Sequence, residues 1–163
     1  MSRYTPSLFD RLLDDDPQVE SEPTLVRLSL EQLKDSVARD LEALLNTRCG
    51  LAADVLRPWR HCRTSILSFG MIDFADLTLA SPRDRDLICQ SIEAAIRAHE
   101  PRLRAPRVSL AGPDGRGESR LRFSIHALLR VGQASEPVNF DASLQTTTQQ
   151  YAVRRAGGEP VAG

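Results

Sequence analysis

The residues with the clearest chemical potential are Glu100 and Arg102, which flank Pro101 where a helical run meets an extended one. They could be a catalytic acid with its partner, a structural ion pair or a contact for another protein. A glycoside hydrolase needs two carboxylates around the bond it cleaves, and no second carboxylate is evident near Glu100. The guanidinium of Arg102 also favours the ionised carboxylate, which is the wrong state for a general acid. The sequence therefore disfavours catalysis. If the protein were a glycoside hydrolase, Glu100 would be its conceivable general acid.

The other motifs indicate no cofactor and no metal. The Gly-rich stretch GPDGRG at 112–117 lacks the Lys-Ser/Thr ending of a phosphate-binding loop. His61 and Cys62 are adjacent, but two potential ligands without a second pair do not define a metal site. The cysteines have a wide, unpatterned spacing that fits neither a disulfide framework nor a zinc motif. They are Cys49, Cys62 and Cys89.

Charge and hydropathy set further limits. The formal net charge is −1, so no global field attracts nucleic acid or acidic membranes. A local basic run at 97–107 lacks the interleaved aromatic residues of a nucleic-acid platform. The N-terminus does not resemble a secretory signal, and no apolar run approaches the ~20 residues that cross a bilayer. We therefore expect a cytoplasmic protein without nucleic-acid partners or direct membrane insertion.

Two main helices are predicted. Ser29 and Gln32 have the spacing of a capping box, and an apolar stripe follows with helical periodicity. The second helix begins after Ser81, has Pro82 in its first turn and ends before Pro101. The stripe of the first helix is Leu30, Leu33, Val37, Leu41, Leu44 and Leu45. The predicted buried face of the second is Leu87, Ile88, Ile92, Ala95 and Ile96.

Three stretches alternate apolar and polar residues as strands do, namely 107–112, 119–132 and 138–144. The residues that follow can extend the last strand through Tyr151 and Val153 as an edge strand, where another chain could add a strand. The predicted fold class is α+β, with the two helices packed on an antiparallel sheet of three to four strands. We divide the chain into a mobile acidic N-terminal arm (1–28), partly disordered or docked on a partner, a single domain (29–153) and a flexible tail (154–163).

Five segments, taken in order, resemble the TssE family of baseplate subunits in bacterial type VI secretion systems. They are SLFDRL (7–12), SVARDLEALLNTR (36–48), SILSFGMIDF (65–74), EPRL (100–103) and EPVNFDASL (136–144). This family is similar to the small, lysozyme-like wedge protein of contractile-phage baseplates. The resemblance implies a non-enzymatic structural subunit that joins the baseplate wedge and helps to nucleate sheath polymerisation.

The resemblance also implies partners and contact residues. It assigns Glu100, Pro101 and Arg102 to the contact with the wedge subunits TssF and TssG. It assigns the sheath-facing strand, which would meet the sheath proteins TssB and TssC, to Val138, Phe140, Ala142 and Leu144. TssK and the VgrG spike hub are further partners through the baseplate, which is docked at the inner-membrane complex.

The residues by themselves leave the role of Glu100 and Arg102 open. A surface pair between them, or a pair of either with Asp141, is as well supported as an interface with another protein. The resemblance favours the interface. The alternative function is a lysozyme-like peptidoglycan hydrolase that uses Glu100.

Overall fold

The computed structural model describes residue 4 and residues 28–51, 53–72, 81–111, 120–145 and 147–157. Most of the predicted arm (1–28) and residues 158–163 of the predicted tail lie outside these ranges, so their order and docking stay predictions. Two residues of the arm are described: Tyr4 and Leu28 exchange backbone hydrogen bonds of 2.9 and 2.8 Å.

Helix α1, Leu30–Asn46, is defined by its cap and its apolar stripe. The Ser29 hydroxyl accepts a hydrogen bond from the Gln32 amide at 3.2 Å, and the Gln32 side chain accepts one from the Ser29 amide at 2.8 Å. Each bond satisfies a donor that the first turn leaves unpaired. The predicted capping box is confirmed. The buried residues of α1 are Leu33, Ser36, Val37, Ala38, Leu41, Leu44 and Leu45.

A segment that we call the connector (51–72) follows α1. Its helical elements are short: α2, Ala53–Leu56, and two 3₁₀ helices, Arg60–Thr64 and Ile66–Ser68. Near its end the connector returns to the C-terminus of α1. There the Cys49 amide donates to the Met71 carbonyl at 2.9 Å, and the Met71 amide donates to the Thr47 carbonyl at 2.8 Å. These bonds hold the far end of the connector against the C-terminus of α1.

The return depends on Gly70, which has a φ of +112°. A Cβ at this position would lie 2.6 Å from the Thr47 carbonyl oxygen, which itself accepts the hydrogen bond from Met71. Both the left-handed backbone and the close approach require a residue without a side chain.

Helix α3, Pro82–His99, begins as the sequence predicts. The Ser81 hydroxyl accepts a hydrogen bond from the Asp84 amide at 3.4 Å, and Pro82 occupies the first turn. Ile88, Ile92 and Ile96 form the buried stripe. The prediction was wrong for Leu87, which is 43% exposed, because it lies about 100° around the helix from Ile88 and points away from the sheet.

Four strands form one antiparallel sheet with the order β1-β2-β3-β4. They are β1, Leu103–Ala111; β2, Arg120–Val131; β3, Ala134–Gln145; and β4, Gln150–Arg155. The first and third begin earlier than the predicted residues 107 and 138. The chain reverses direction after β3, so Tyr151 and Val153 form a separate strand rather than an extension of β3. The domain boundary predicted at 153 therefore falls inside β4.

The core lies between the two long helices and one face of the sheet, where α1 packs near β4 and α3 packs near β1. The largest of its essentially inaccessible side chains are Phe123 and Phe140. The predicted α+β fold with helices on an antiparallel sheet is confirmed. In the ranges that the structure describes, no helix has the length and apolar character to cross a membrane.

We predict that Gly70→Ala lowers the free energy of unfolding by about 2–4 kcal/mol, because it combines left-handed backbone with a steric clash. Gly50→Ala is the matched control, since a Cβ at residue 50 meets no atom within 4 Å, and it should change stability by less than about 1 kcal/mol. Urea denaturation of both variants measures the difference. Equal stabilities would show that the connector does not depend on this close approach.

Candidate functional site

The candidate site is the corner where α3 ends and β1 begins. The Glu100 amide donates to the Ile96 carbonyl at 2.8 Å and closes the helix, while the Leu103 amide donates to the Glu100 carbonyl at 3.1 Å. Pro101 between them cannot continue the helix. The chain thus turns from helix to strand within three residues, and both sides of the turn are held by backbone hydrogen bonds.

The carboxylate of Glu100 is enclosed by Arg102. Its side chain is 7% exposed. One oxygen accepts from the Arg102 amide at 3.1 Å and from Arg102 Nε at 2.8 Å, and the other accepts from a terminal guanidinium nitrogen at 2.5 Å. A fork of this kind fixes the geometry of both groups and strengthens each hydrogen bond. A pair between these residues was one of the alternatives that the sequence left open, and the burial of the carboxylate was not foreseen.

Arg102 also reaches α1. Its terminal nitrogens donate to the carboxylate of Asp40 and, at 3.4 Å, to the hydroxyl of the fully buried Ser36. Its carbonyl accepts from the Arg130 amide at 2.8 Å, which ties the corner to β2. One side chain and its backbone therefore connect α1, the end of α3, β1 and β2. We call Glu100, Arg102 and Asp40 the corner triad.

The electrostatics of the corner triad favour the charged guanidinium. Burial opposes the charge on Arg102, but the hydrogen bonds and charge of Glu100, followed by those of Asp40, outweigh it and raise the pKa of Arg102 above its usual range. Two carboxylates around one guanidinium form a network in which removal of any member leaves a poorly solvated charge. The arrangement is suited to holding a shape.

The same geometry argues against Glu100 as a general acid. Both carboxylate oxygens accept hydrogen bonds from a permanently charged donor, and a glycosidase acid needs a proton to give. The pairing with Asp141 that the sequence left open is not observed: Asp141 lies in β3 opposite Arg154, and Arg102 pairs with Asp40 instead. Among the described residues, no group of three or more His, Cys, Asp or Glu side chains is arranged to hold a metal ion.

The outer surface of the corner is formed by Pro101, Arg102 and Asp40, and Glu100 supports it from beneath. Pro101 is exposed, and the side chains of Arg102 and Asp40 are 23% and 32% exposed. Glu100 lies beneath them and positions Arg102. Sequence reasoning missed Asp40. A signal was present, since Ser36 and Asp40 are two polar residues spaced i, i+4 beside the apolar stripe.

The structure places the predicted sheath-facing strand in the interior of the sheet. β3 lies between β2 and β4 in the sheet, so its backbone is paired on both sides. The side chains of Val138, Phe140 and Ala142 are buried in the core, and Leu144 packs partly against it. These four side chains face the helices because strand residues alternate between faces. The free edge on this side of the sheet is β4.

Side chains of α1 contact the free edge of β4. The Tyr151 amide donates to Asn46 Oδ1 and the Asn46 Nδ2 donates to the Tyr151 carbonyl, both at 2.8 Å. The Val153 amide donates to Glu42 Oε2 at 2.8 Å. Asn46 thus imitates the paired donor and acceptor of a neighbouring strand, and an added strand would have to displace these contacts.

The opposite edge, β1, is contacted by α3 in a similar way. The Val108 amide donates to Glu93 Oε1 at 2.9 Å. The side chain of Glu93 also lies 3.7 Å from a guanidinium nitrogen of Arg107. Side chains of each long helix therefore form hydrogen bonds with backbone groups at one strand edge. Backbone groups that stay unpaired at an edge otherwise cost the sheet free energy.

These features define a domain with a rigid charged corner and protected strand edges, and comparison with known families identifies its class. The chain belongs to the baseplate wedge protein gp25 family, whose model matches residues 31–134, from the first turn of α1 to the first residue of β3. This is the family that includes TssE. The predicted membership is confirmed, and it gives the chain a structural role in a phage-like baseplate. A comparison with curated proteins finds no match.

Tyr151, whose backbone binds Asn46, gives a pH-dependent prediction. Its ring is buried against Phe123, with centroids 6.3 Å apart, and its hydroxyl has no hydrogen-bond partner among the residues that the structure describes. Burial raises the pKa of Tyr151 to about 12, despite the nearby charge of Arg48. Because the folded state prefers the neutral phenol, its contribution is complete below pH 10 and is lost as the pH rises from about 10 to 12.

We therefore expect Tyr151→Phe to remove about 1–1.5 kcal/mol of the loss of stability between pH 7 and pH 11, and to change stability at pH 7 by less than about 1 kcal/mol. Urea denaturation at pH 7, 9 and 11 measures both effects, with Tyr4→Phe as control. A loss of stability at pH 7 well above this value in Tyr151→Phe would contradict the account, because it would require a bonded hydroxyl.

Proposed function

We propose that the protein is a TssE-type baseplate subunit of a bacterial type VI secretion system, which joins the TssF and TssG wedge and helps to nucleate sheath polymerisation. The observation that carries the proposal is the family match over residues 31–134, together with the corner triad at the segment EPRL. On this proposal the protein works as a scaffold, without a cofactor, in the cytoplasmic baseplate docked at the inner-membrane complex.

The wedge contact is assigned to the outer surface of the corner. The exposed Pro101 and the partly exposed Arg102 and Asp40 present an apolar ring beside charges of both signs. Glu100 takes part by holding Arg102 in place. A contact surface that is fixed before binding loses less conformational entropy when the partner docks. This is the physical reason for assigning a docking role to a corner with so many internal bonds.

The sheath contact is assigned to β4 instead of the four β3 side chains. Strand addition by TssB or TssC at Tyr151 and Val153 requires release of Asn46 and Glu42, so that the incoming backbone takes over their hydrogen bonds. Contacts with TssK and the VgrG hub follow from membership of the same assembly.

The test is co-expression with TssF and TssG from the same organism. Reversing the charge of Arg102 is a poor probe, because it would place three carboxylates together and unfold the corner. Pro101→Asp changes an exposed side chain outside the corner triad, and it should reduce the recovery of TssF and TssG at least tenfold while the subunit stays folded. Thr148→Asp, in the exposed turn between β3 and β4, is the matched control and should leave recovery unchanged.

Circular dichroism of both variants separates loss of docking from loss of folding. Unchanged recovery in a folded Pro101→Asp variant would contradict the assignment of the corner. Failure of the unaltered protein to bind TssF and TssG would contradict the proposed function itself.

A further inference from the structure

The connector carries six of the eight large apolar side chains that are exposed in the described ranges. The two most exposed of them are Ile66, at 81%, and Trp59, at 65%. We call the exposed apolar side chains of the connector the connector surface: Leu51, Val55, Trp59, Ile66, Leu67 and Ile72. A group of large apolar side chains on one surface segment marks a binding site more often than isolated ones do.

The backbone beneath the connector surface is held in place. Successive tight turns are closed by hydrogen bonds from the Trp59 amide to the Leu56 carbonyl and from the Phe69 amide to the Ile66 carbonyl, at 3.0 and 3.2 Å. His99 at the end of α3 anchors the same segment, because its Nε2 lies 2.9 Å from the Ser68 carbonyl oxygen and its ring packs edge-on against Phe69. The apolar side chains are therefore presented by a fixed scaffold.

Further contacts draw the two ends of the connector together. The Cys49 thiol lies 3.3 Å from the Leu51 carbonyl oxygen and 3.6 Å from that of Leu67. Ile72 follows Met71, whose backbone pairs with that of Thr47 at the end of α1. The backbones that carry Leu51, Leu67 and Ile72 thus meet beside the C-terminus of α1, which supports treating these side chains as parts of one surface.

The charges around the connector surface have one predominant sign. Arg57, Arg60 and Arg63 are all exposed, whereas Asp54 is the one carboxylate among the described residues of the connector. Arg60 and Arg63 belong to the same 3₁₀ helix and lie three residues apart, so they project from the same face. Trp59 directly precedes them. Arg and Trp side chains are the groups that most often dominate the energy of a protein interface.

We propose that the connector surface is a docking site for an acidic, amphipathic segment of a different polypeptide. The apolar side chains of that segment would cover Trp59 and Ile66, and its Asp or Glu side chains would pair with the exposed arginines of the connector, Arg57, Arg60 and Arg63. Charge complementarity disfavours a second copy that docks through the same surface, because it would bring its own three arginines against those of the first. The site is separate from the corner triad and does not depend on the identity of the wedge partner.

The experiment places the photo-reactive residue p-benzoylphenylalanine at position 59 of the full chain, in the cells that naturally produce the protein. The same substitution at Leu87, an exposed apolar residue on α3, is the control. Irradiation should give a crosslinked product with another polypeptide at least fivefold more abundant at position 59 than at position 87. Mass spectrometry of the product should find a partner peptide with at least two large apolar residues and a net negative charge.

A charge-reversal variant tests the electrostatic part of the proposal. Combining Arg57→Glu, Arg60→Glu and Arg63→Glu should lower the crosslink yield at least fivefold. The matched variant, Arg104→Glu with Arg120→Glu and Arg130→Glu, changes three exposed arginines of the sheet and should leave the yield unchanged. Circular dichroism checks that both variants are folded.

The other outcomes overturn the proposal. Crosslinks only to the same chain or a second copy, a partner peptide with net positive charge, or a yield no higher than at Leu87 would each do so. Because the readout does not use TssF or TssG, its failure is distinguishable from failure of the proposed function.

Discussion

The rest of the structure depends on one electrostatic constraint: the guanidinium of Arg102 is shared by Glu100, which is buried, and Asp40, which is partly exposed. These groups come from the end of α3, the start of β1 and the middle of α1, so the network sets the position of both long helices relative to the sheet. A buried carboxylate without its partner would cost several kcal/mol. The corner therefore has one stable arrangement, and its outer residues, Pro101 and Arg102, are presented in that arrangement to any partner.

The two long helices also protect the strand edges of the sheet. Asn46 and Glu42 contact β4, and Glu93 contacts β1. An unprotected edge strand is prone to pair with any other chain. If β4 is the site of the proposed sheath contact, this cover would protect the edge until the partner arrives. Side chains can perform this role better than a fifth strand, because a rotamer change releases the edge without unfolding the sheet.

The local features of the fold could be predicted from the sequence, and the long-range features could not. The capping box at Ser29, the start of α3 at Pro82 and its stop before Pro101 are set by residues within one or two turns, so their patterns were sufficient. The contacts of Asp40 with Arg102 and of Asn46 with Tyr151 join residues 62 and 105 positions apart, and no local pattern specifies them. The sequence left a pair between Glu100 and Arg102 as one of several alternatives, and the third member of the corner triad and the position of the edge strand required the fold.

The central claim, that a buried ion network fixes the corner, is tested most directly by a double-mutant cycle with Glu100→Gln, Arg102→Ala and the combined variant. The free energy of unfolding of each is measured by urea denaturation. We expect a loss of about 3–5 kcal/mol for Arg102→Ala and a coupling energy of at least about 2 kcal/mol between the two positions. A coupling energy below about 0.5 kcal/mol, as is usual for an exposed ion pair, would contradict the claim.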